Sequence, residues 1–178
     1  MRSLKRCGTS TAWLTEGMAS SSTRKRRPEM DQSELTNLER MRIQMEYAVP
    51  LVRDLQRLLG EEAVNEALAS RVALLAEEQA QPGSKADFSR MEAGMALYAR
   101  GGALDYQVIA SDSERFDVNI TRCDYMRMME GLGARDIGHL LICNLDYPIA
   151  ARAGMDLARS QTQMQGASFC DFRYRRRS

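Results

Sequence analysis

The sequence predicts an α+β domain in which N-terminal helices pack on an antiparallel β-sheet that carries an inserted helical segment. Apolar residues recur every three or four positions up to Gly102 and every second position just after it. A second helical stretch then separates the strand-like region 104–123 from the strand-like region 156–175. Helices first and a sheet with one helical excursion later are typical of the α+β class.

Three helices are predicted before Gly102. The first begins near Ser33, and Pro50 is expected to kink or split it. The second opens near Gly60, and the third covers residues 86–101 with Asp87 or Ser84 as its cap. We interpret the methionines of these helices as core residues, and self-association through the methionine-rich N-terminal helices is a further expectation. The apolar positions of the first two helices are Leu35, Leu38, Met41, Met45, Ala48, Val49, Val52, Val64, Leu68, Val72 and Leu75.

A β-hairpin is predicted next, with strands at 104–110 and 115–121 around the turn sequence SDSE. Phe116, Val118 and Ile120 alternate on its buried face, which leaves Asp117, Asn119 and Thr121 on the other face. The assignment of these residues to the two faces rests only on the two-residue period of a strand.

The inserted helical stretch covers residues 124–154, with interruptions predicted at Gly131 to Gly133 and near Pro148. Two extended runs around Gly166 then close the sheet. In the last run Cys170, Phe172 and Tyr174 share one face, and Phe169, Asp171, Arg173 and Arg175 share the other.

The first 29 residues differ in charge from the rest of the chain. They hold seven basic and two acidic residues, whereas residues 30–178 hold 18 basic and 22 acidic residues. We predict a disordered basic segment at 1–29, with a transit peptide, a nuclear or polyanion-binding signal, or a start at Met30 as alternatives. Residues 30–178 are predicted to form one domain, whose acidic balance disfavours nucleic acid and anionic membranes as partners. A cytoplasmic protein with reduced thiols is expected.

Thiols and one imidazole are the first candidates for chemistry. Cys123 stands at a strand-to-helix junction, where helix amides and Arg122 favour a thiolate and Asp124 opposes it. His139 and Cys143 are four apart and are expected on one helical face, and Cys170 lies on the last strand. These residues are compatible with a cysteine nucleophile and histidine base, with a zinc site, or with structural roles.

Two acids closely follow cysteines, Asp146 in CNLD and Asp171 in CD. Arg173 lies on the same strand face as Asp171 at two-residue spacing, so a salt bridge between them is one interpretation. The alternative is that Arg173 orients a substrate carboxylate.

Three segments, FDVNITRCDY, LLICNLDYPIA and LARSQTQMQGASFCDFRYR, resemble the L-2-amino-thiazoline-4-carboxylic acid hydrolase family. The likeness covers roughly residues 34–175. It implies a hydrolase that opens a cyclic C–N bond in a small amidine, thiazoline or lactam acid, with no required cofactor and with metal binding left open. It implies catalytic roles for Cys123, Cys143, Asp146, Cys170 and Asp171, and substrate binding by Asn119, Arg122, Arg159, Thr162 and Arg173.

The closing strand pair is also similar to the vinyl-reductase-type small-ligand-binding domains. That resemblance implies the same α+β architecture with a sheet packed on helices. It implies a different function, a non-catalytic binding or scaffold module that holds a small molecule between sheet and helices.

Overall fold

The computed structural model describes residues 35–80 and 86–177, which all belong to one compact unit. The predicted α+β class is confirmed, whereas the predicted disordered segment 1–29 lies outside the described residues. Short 3-10 turns flank α3, precede α6 and join β3 to β4. The elements are α1 (Asn37–Leu59), α2 (Glu61–Gln79), α3 (Met91–Ala99), β1 (Leu104–Ser111), β2 (Arg115–Cys123), α4 (Asp124–Gly131), α5 (Arg135–Leu141), α6 (Asp146–Arg152), β3 (Met155–Ala158) and β4 (Cys170–Arg176).

Helix α1 begins at a capping box, in which the Glu39 amide donates to the Thr36 hydroxyl and the Glu39 carboxylate accepts from the Thr36 amide. The helix continues through Pro50, so the predicted split is wrong. Val49 and Val52 are buried on either side of the proline, and this packing holds the chain helical despite the lost hydrogen bond. Gly60, at φ 93°, then joins α1 to α2 in a conformation that other residues rarely adopt.

The sheet has the order β1-β2-β4-β3, and every neighbouring pair is antiparallel. Val118 lies opposite Phe172, and Phe116 lies opposite Tyr174. These side chains share the inner face, which packs on the α3 region and α6. The predicted hairpin is therefore confirmed, and so is the prediction that Cys170, Phe172 and Tyr174 share one face of the last strand.

A second core lies among the helices, where α1 and α2 pack on α4, α5 and α6. Met45 of α1, Met129 of α4 and Ile137 of α5 are buried there together with Met164. The methionines at these positions fill the core, as predicted.

The inserted segment is interrupted at the predicted glycines and again at residues 142–145, just before Pro148, so both predicted interruptions are confirmed. Pro148 is the third residue of α6, where the amide of an ordinary residue would have no helical acceptor. The missing N–H therefore costs the helix nothing, and the proline lies in the first turn of α6 rather than in the break itself. Because α5 ends at Leu141, Cys143 lies in a 3-10 turn and does not share a helical face with His139.

Candidate functional site

Five of the predicted site residues meet between the inner face of the sheet and the helices. Asp146 is the first residue of α6, and Cys143 lies in the turn before it. Cys123 ends β2, Cys170 begins β4, and Arg159 follows β3. They lie close enough for their charges to shift one another's pKa values. We call these five residues the Asp146 cluster.

Arg159 occupies the centre of the Asp146 cluster. Its side chain is only 3% exposed, and its Nη1 donates to Asp146 Oδ2 at 2.8 Å. Nη1 also donates to the carbonyl oxygen of Cys143 at 3.0 Å, and Nη2 donates to Asn144 Oδ1 at 3.2 Å. These bonds fix the guanidinium against the turn that precedes α6, so Arg159 holds Asp146 in one orientation.

Aromatic rings flank the same guanidinium. Its carbon lies 5.1 Å from the centroid of the Tyr147 ring and 5.1 Å from that of Phe172. Cation–π contacts of this kind stabilise a cation that has left water. Phe172 comes from the inner face of β4 and Tyr147 from α6, so the cluster is enclosed from both sides.

The carboxyl of Asp146 has an unusual acidity. Burial raises its pKa to about 6, although the charge of Arg159 and the hydrogen bond from it both act to lower the pKa. Its side chain nevertheless keeps 32% of its surface accessible to solvent. The carboxyl is therefore largely surrounded by protein and yet in contact with solvent, so Asp146 can exchange protons with water.

Three tyrosine hydroxyls lie within electrostatic reach of Asp146. Burial raises the pKa of Tyr98, Tyr125 and Tyr174, and the negative charge of Asp146 adds to the effect. The Tyr125 hydroxyl donates to the backbone carbonyl of Tyr98 at 3.2 Å. These phenols stay protonated at neutral pH, and they can act as hydrogen-bond donors.

The three thiols of the cluster are protonated at neutral pH. Burial raises the pKa of Cys123 to about 11 and that of Cys143 to about 12. Burial also raises the pKa of Cys170, whose sulfur accepts from the Gln163 amide at 3.2 Å. For Cys123 the hydrogen bonds from helix amides do lower the pKa, but burial outweighs them. Of the opposing influences that the sequence indicated at Cys123, those that favour a thiolate are therefore too weak to produce one.

Asp171, Asn119 and Arg173 lie on the outer face of the sheet, away from the cluster. The predicted pair between Asp171 and Arg173 is wrong: Asp171 Oδ1 accepts from the amides of Ser160 and Gln161 at 3.0 and 2.8 Å. Burial acts to raise the pKa of Asp171, but the bonds from Ser160 and Gln161 outweigh it and lower the pKa. Arg173 donates to Asn119 Oδ1 at 2.8 Å and to two backbone carbonyls. Its predicted role as a carboxylate clamp stays a prediction.

Arg122 and Thr162 make structural contacts. Arg122 Nε donates to Asp105 Oδ2 at 2.7 Å, and its Nη1 donates to Asp124 Oδ1 at 2.8 Å. Thr162 is buried and caps a 3-10 turn by accepting from the Gln165 amide. Substrate binding by these two residues also stays a prediction.

His139 lies apart from the Asp146 cluster. It lines an open cavity of about 510 Å³ together with Arg135, Asp136 and Met164. Across the ranges 35–80 and 86–177, no group of three His, Cys, Asp or Glu side chains is placed to hold a metal ion. A second open cavity, of about 710 Å³, is lined by acidic side chains of α2. Neither cavity is lined by a residue of the cluster.

Sequence reasoning missed the aromatic wall of the site. Tyr98 and Tyr147 come from α3 and α6, and no local pattern distinguishes them from other aromatic residues of a helix. Arg159 was identified only through the family resemblance. Its position directly after β3 has no chemical signature until the pairing of β3 with β4 is known.

Most of the chain matches a known protein family. Residues 40–174, which are 135 of the 178 residues, match the family model described as L-2-amino-thiazoline-4-carboxylic acid hydrolase. The matched range includes every residue of the Asp146 cluster. No curated protein matches the chain. Within the described residues, no helix is both long and apolar enough to cross a membrane.

Proposed function

The chain belongs to the L-2-amino-thiazoline-4-carboxylic acid hydrolase family, and on that premise we propose that it hydrolyses a cyclic C–N bond of a small acid. The substrate class is a cyclic amidine, thiazoline or lactam that carries a carboxylate. The observation that carries the proposal is the Asp146 carboxyl, whose pKa is raised to about 6 and whose side chain is partly accessible to solvent between sheet and helices. The family supplies the reaction class, and Asp146 supplies a group that can perform it.

Asp146 acts first as a general base. It takes a proton from water while the water oxygen bonds to the ring carbon that is joined to nitrogen. The protonated Asp146 then gives this proton to the ring nitrogen, and the C–N bond breaks as the added oxygen forms a C=O double bond. In an amidine or thiazoline the proton of the added hydroxyl also passes to the departing nitrogen through Asp146, which leaves a carbonyl group and an amine. A pKa of about 6 suits both steps, because the carboxyl is mostly ionised at pH 7 and yet accepts a proton readily.

Arg159 is a positioning residue in this mechanism. It binds Asp146 Oδ2, so Oδ1 is the oxygen that faces the reacting water. The protonated hydroxyls near the carboxyl, those of Tyr98, Tyr125 and Tyr174, are candidate donors to the oxygen that becomes negative as water adds. A rigid carboxylate beside neutral donors is the arrangement that water addition requires.

We propose water rather than a cysteine as the nucleophile. A thiol with a pKa of about 11 or 12 is ionised in only about one molecule in 10⁴ to 10⁵ at pH 7, so neither cysteine supplies a ready thiolate. We therefore assign Cys123 and Cys143 to the surroundings of Asp146. A covalent route through either residue would require Asp146 to remove the thiol proton during the reaction.

The test is turnover of a panel of cyclic amidines, thiazolines and lactams that begins with 2-amino-thiazoline-4-carboxylate. Amine, thiol and ammonia release are followed for the wild type, Asp146→Asn and the matched control Asp171→Asn, which makes the same change on the outer face. We expect kcat/KM to fall about 100-fold or more in Asp146→Asn, the usual size of a general-base effect, and only slightly in the control. The wild-type rate is expected to rise with pH through about 6.

Three other outcomes would change the proposed role of Asp146, the nucleophile or the function. Full activity of Asp146→Asn would remove Asp146 from the chemistry. Loss of activity in Cys123→Ser at unchanged stability would favour the covalent route. Absence of turnover across the panel, with a small molecule that co-purifies, would favour the binding module of the vinyl-reductase type.

A further inference from the structure

Helix α1 is apolar on two opposite faces. Its inner face carries Met45, Val49 and Val52, which are buried in the helical core. A helix that buries one face normally exposes a polar one, and a second apolar face indicates a second contact. The outer face carries a row of large apolar side chains at every fourth position, which we call the outer stripe: Ile43 (53% exposed), Tyr47 (77%), Leu51 (47%), Leu55 (37%) and Leu59 (66%).

We propose that the outer stripe is the interface with a second copy of this chain in a twofold dimer. The spacing of the stripe is symmetric about Leu51. In an antiparallel pair centred there, Leu51 meets Leu51 of the second copy and Tyr47 meets Leu55, while Ile43 and Leu59 lie at the edges of the contact. A surface that is complementary to itself in this way fits a twofold interface, in which both copies use the same patch.

The stripe also has the geometry of a packing ridge. Residues four apart form a continuous ridge that is inclined to the helix axis, and two such ridges interdigitate at a crossing angle of about −50°. Leu51 lies at the crossing point of the two helices. Leu58, which is 79% exposed, lies beside the ridge and extends the apolar surface.

The area is sufficient for a stable dimer. With about 180 to 230 Å² for each fully exposed side chain, the exposed fractions of the stripe and Leu58 leave roughly 700 Å² of apolar surface on each copy. A standard protein interface buries about 800 Å² on each partner.

Charge around the stripe disfavours a lipid surface as the occupant. The neighbouring helix α2 carries five acidic residues and only one basic residue, Arg71. On α1 itself four arginines stand against three acidic residues, and two of the arginines, Arg53 and Arg57, are paired with Asp136 and Asp54. An amphipathic helix that binds anionic lipid needs a strongly basic flank, and the two helices together carry eight acidic and five basic residues.

The experiment is sedimentation velocity of the full chain at about 1 to 100 µM, for the wild type, Leu51→Lys and Tyr47→Lys. The matched control is Ile109→Lys, which places the same charge on an equally exposed apolar position of β1. We expect the wild type and the control to sediment with twice the 20.1 kDa of one chain. Each α1 variant is expected to raise the dimer dissociation constant about 30-fold or more. In Leu51→Lys the two lysines face each other in a dry interface, and in Tyr47→Lys each lysine is buried against the apolar Leu55 of the second copy.

A wild-type monomer at 100 µM would overturn the proposal, and so would a dimer that both α1 variants leave intact. If Leu51→Lys fails to fold, as judged by far-ultraviolet circular dichroism, Tyr47→Lys decides, because its side chain is the most exposed of the stripe. A wild-type monomer that binds vesicles of phosphatidylserine and phosphatidylcholine would assign the stripe to lipid instead. None of these outcomes depends on catalytic activity, so the test is independent of the proposed hydrolase function.

Discussion

Replacement of Asp146 by asparagine should change how the stability of the protein depends on pH. In the folded protein burial raises the pKa of Asp146 from 3.8 to about 6. A raised pKa means that the folded state binds the proton more tightly than the unfolded state does. The stability that this proton contributes is fully present below pH 3.8 and is lost as pH rises through about 6. Asp146→Asn removes this dependence, because the amide does not titrate.

The size of the effect follows from the shift. A change from 3.8 to about 6 corresponds to at most about 3 kcal/mol, at 1.36 kcal/mol per pKa unit. Because 32% of the side chain is accessible to solvent, water screens part of this energy, and we expect about 1 to 2 kcal/mol. Between pH 4 and pH 7.5 the wild type should therefore lose about 1 to 2 kcal/mol of unfolding free energy relative to Asp146→Asn.

The assay is urea unfolding followed by circular dichroism, at intervals across that pH range, with the slope of each transition checked for constancy. Asp171→Asn is the control of opposite sign. The pKa of Asp171 is lowered in the folded protein, so its contribution is present at higher pH and is lost as pH falls. The wild type should accordingly gain stability relative to Asp171→Asn as pH rises. All other titrating groups cancel in each comparison.

Two results would contradict a raised pKa of Asp146. If the stability difference between the wild type and Asp146→Asn is flat with pH, the carboxyl has an ordinary pKa and its choice as general base loses its physical basis. If the difference rises with pH, the hydrogen bond from Arg159 dominates over burial and the carboxyl is a structural partner.

Three further predictions concern packing and thiol reactivity. Phe116→Ala, at a fully buried position, should cost about 3 to 5 kcal/mol of unfolding free energy in the same urea assay. Gly138→Ala should cost about 1 to 3 kcal/mol, because the new methyl group would meet the thioether of Met164, and Met164→Ala in the same chain should restore part of the loss. Cys123 and Cys143 should react with iodoacetamide at pH 7.5 at least about 100-fold more slowly than free cysteine, as peptide mass spectrometry would show; labelling at the rate of free cysteine would contradict the raised pKa values.

Local patterns predicted most of the fold because they report local physics. The alternation of Phe116, Val118 and Ile120 predicted the buried face of β2, and the glycines at 131 and 133 predicted the end of α4. Pro50 misled where it predicted a split of α1. The cost of a proline depends on its position in the helix and on the surrounding packing, and neither can be read from the proline itself. Asp117 shows the same limit: it lies on the outer face, as predicted, but it is buried because Arg175 covers it and pairs with it.

The candidate site was harder to predict because proximity in sequence misleads in a strand. Cys170 and Asp171 are neighbours in the motif CDFR, yet the two-residue period of β4 sends them to opposite faces. The sequence could not say which face meets the helices, since both carry residues capable of chemistry. Only the packing of α3 and α6 on the side of Cys170 separates Asp171 and Arg173 from the Asp146 cluster.

Comparison of the acids within this protein supports a chemical role for Asp146 over a structural one. Asp136 and Asp105 are also paired with arginines, and in both the hydrogen bond from the arginine lowers the pKa, as expected of an ion pair that stabilises the fold. Asp146 has an equally close arginine, yet burial raises its pKa to about 6. A buried pair with this balance adds little to stability, because the cost of dehydrating the carboxylate offsets the attraction. What the arrangement does provide is a carboxyl whose pKa is raised to about 6, at a fixed position and partly accessible to solvent, which is the property that general-base catalysis requires.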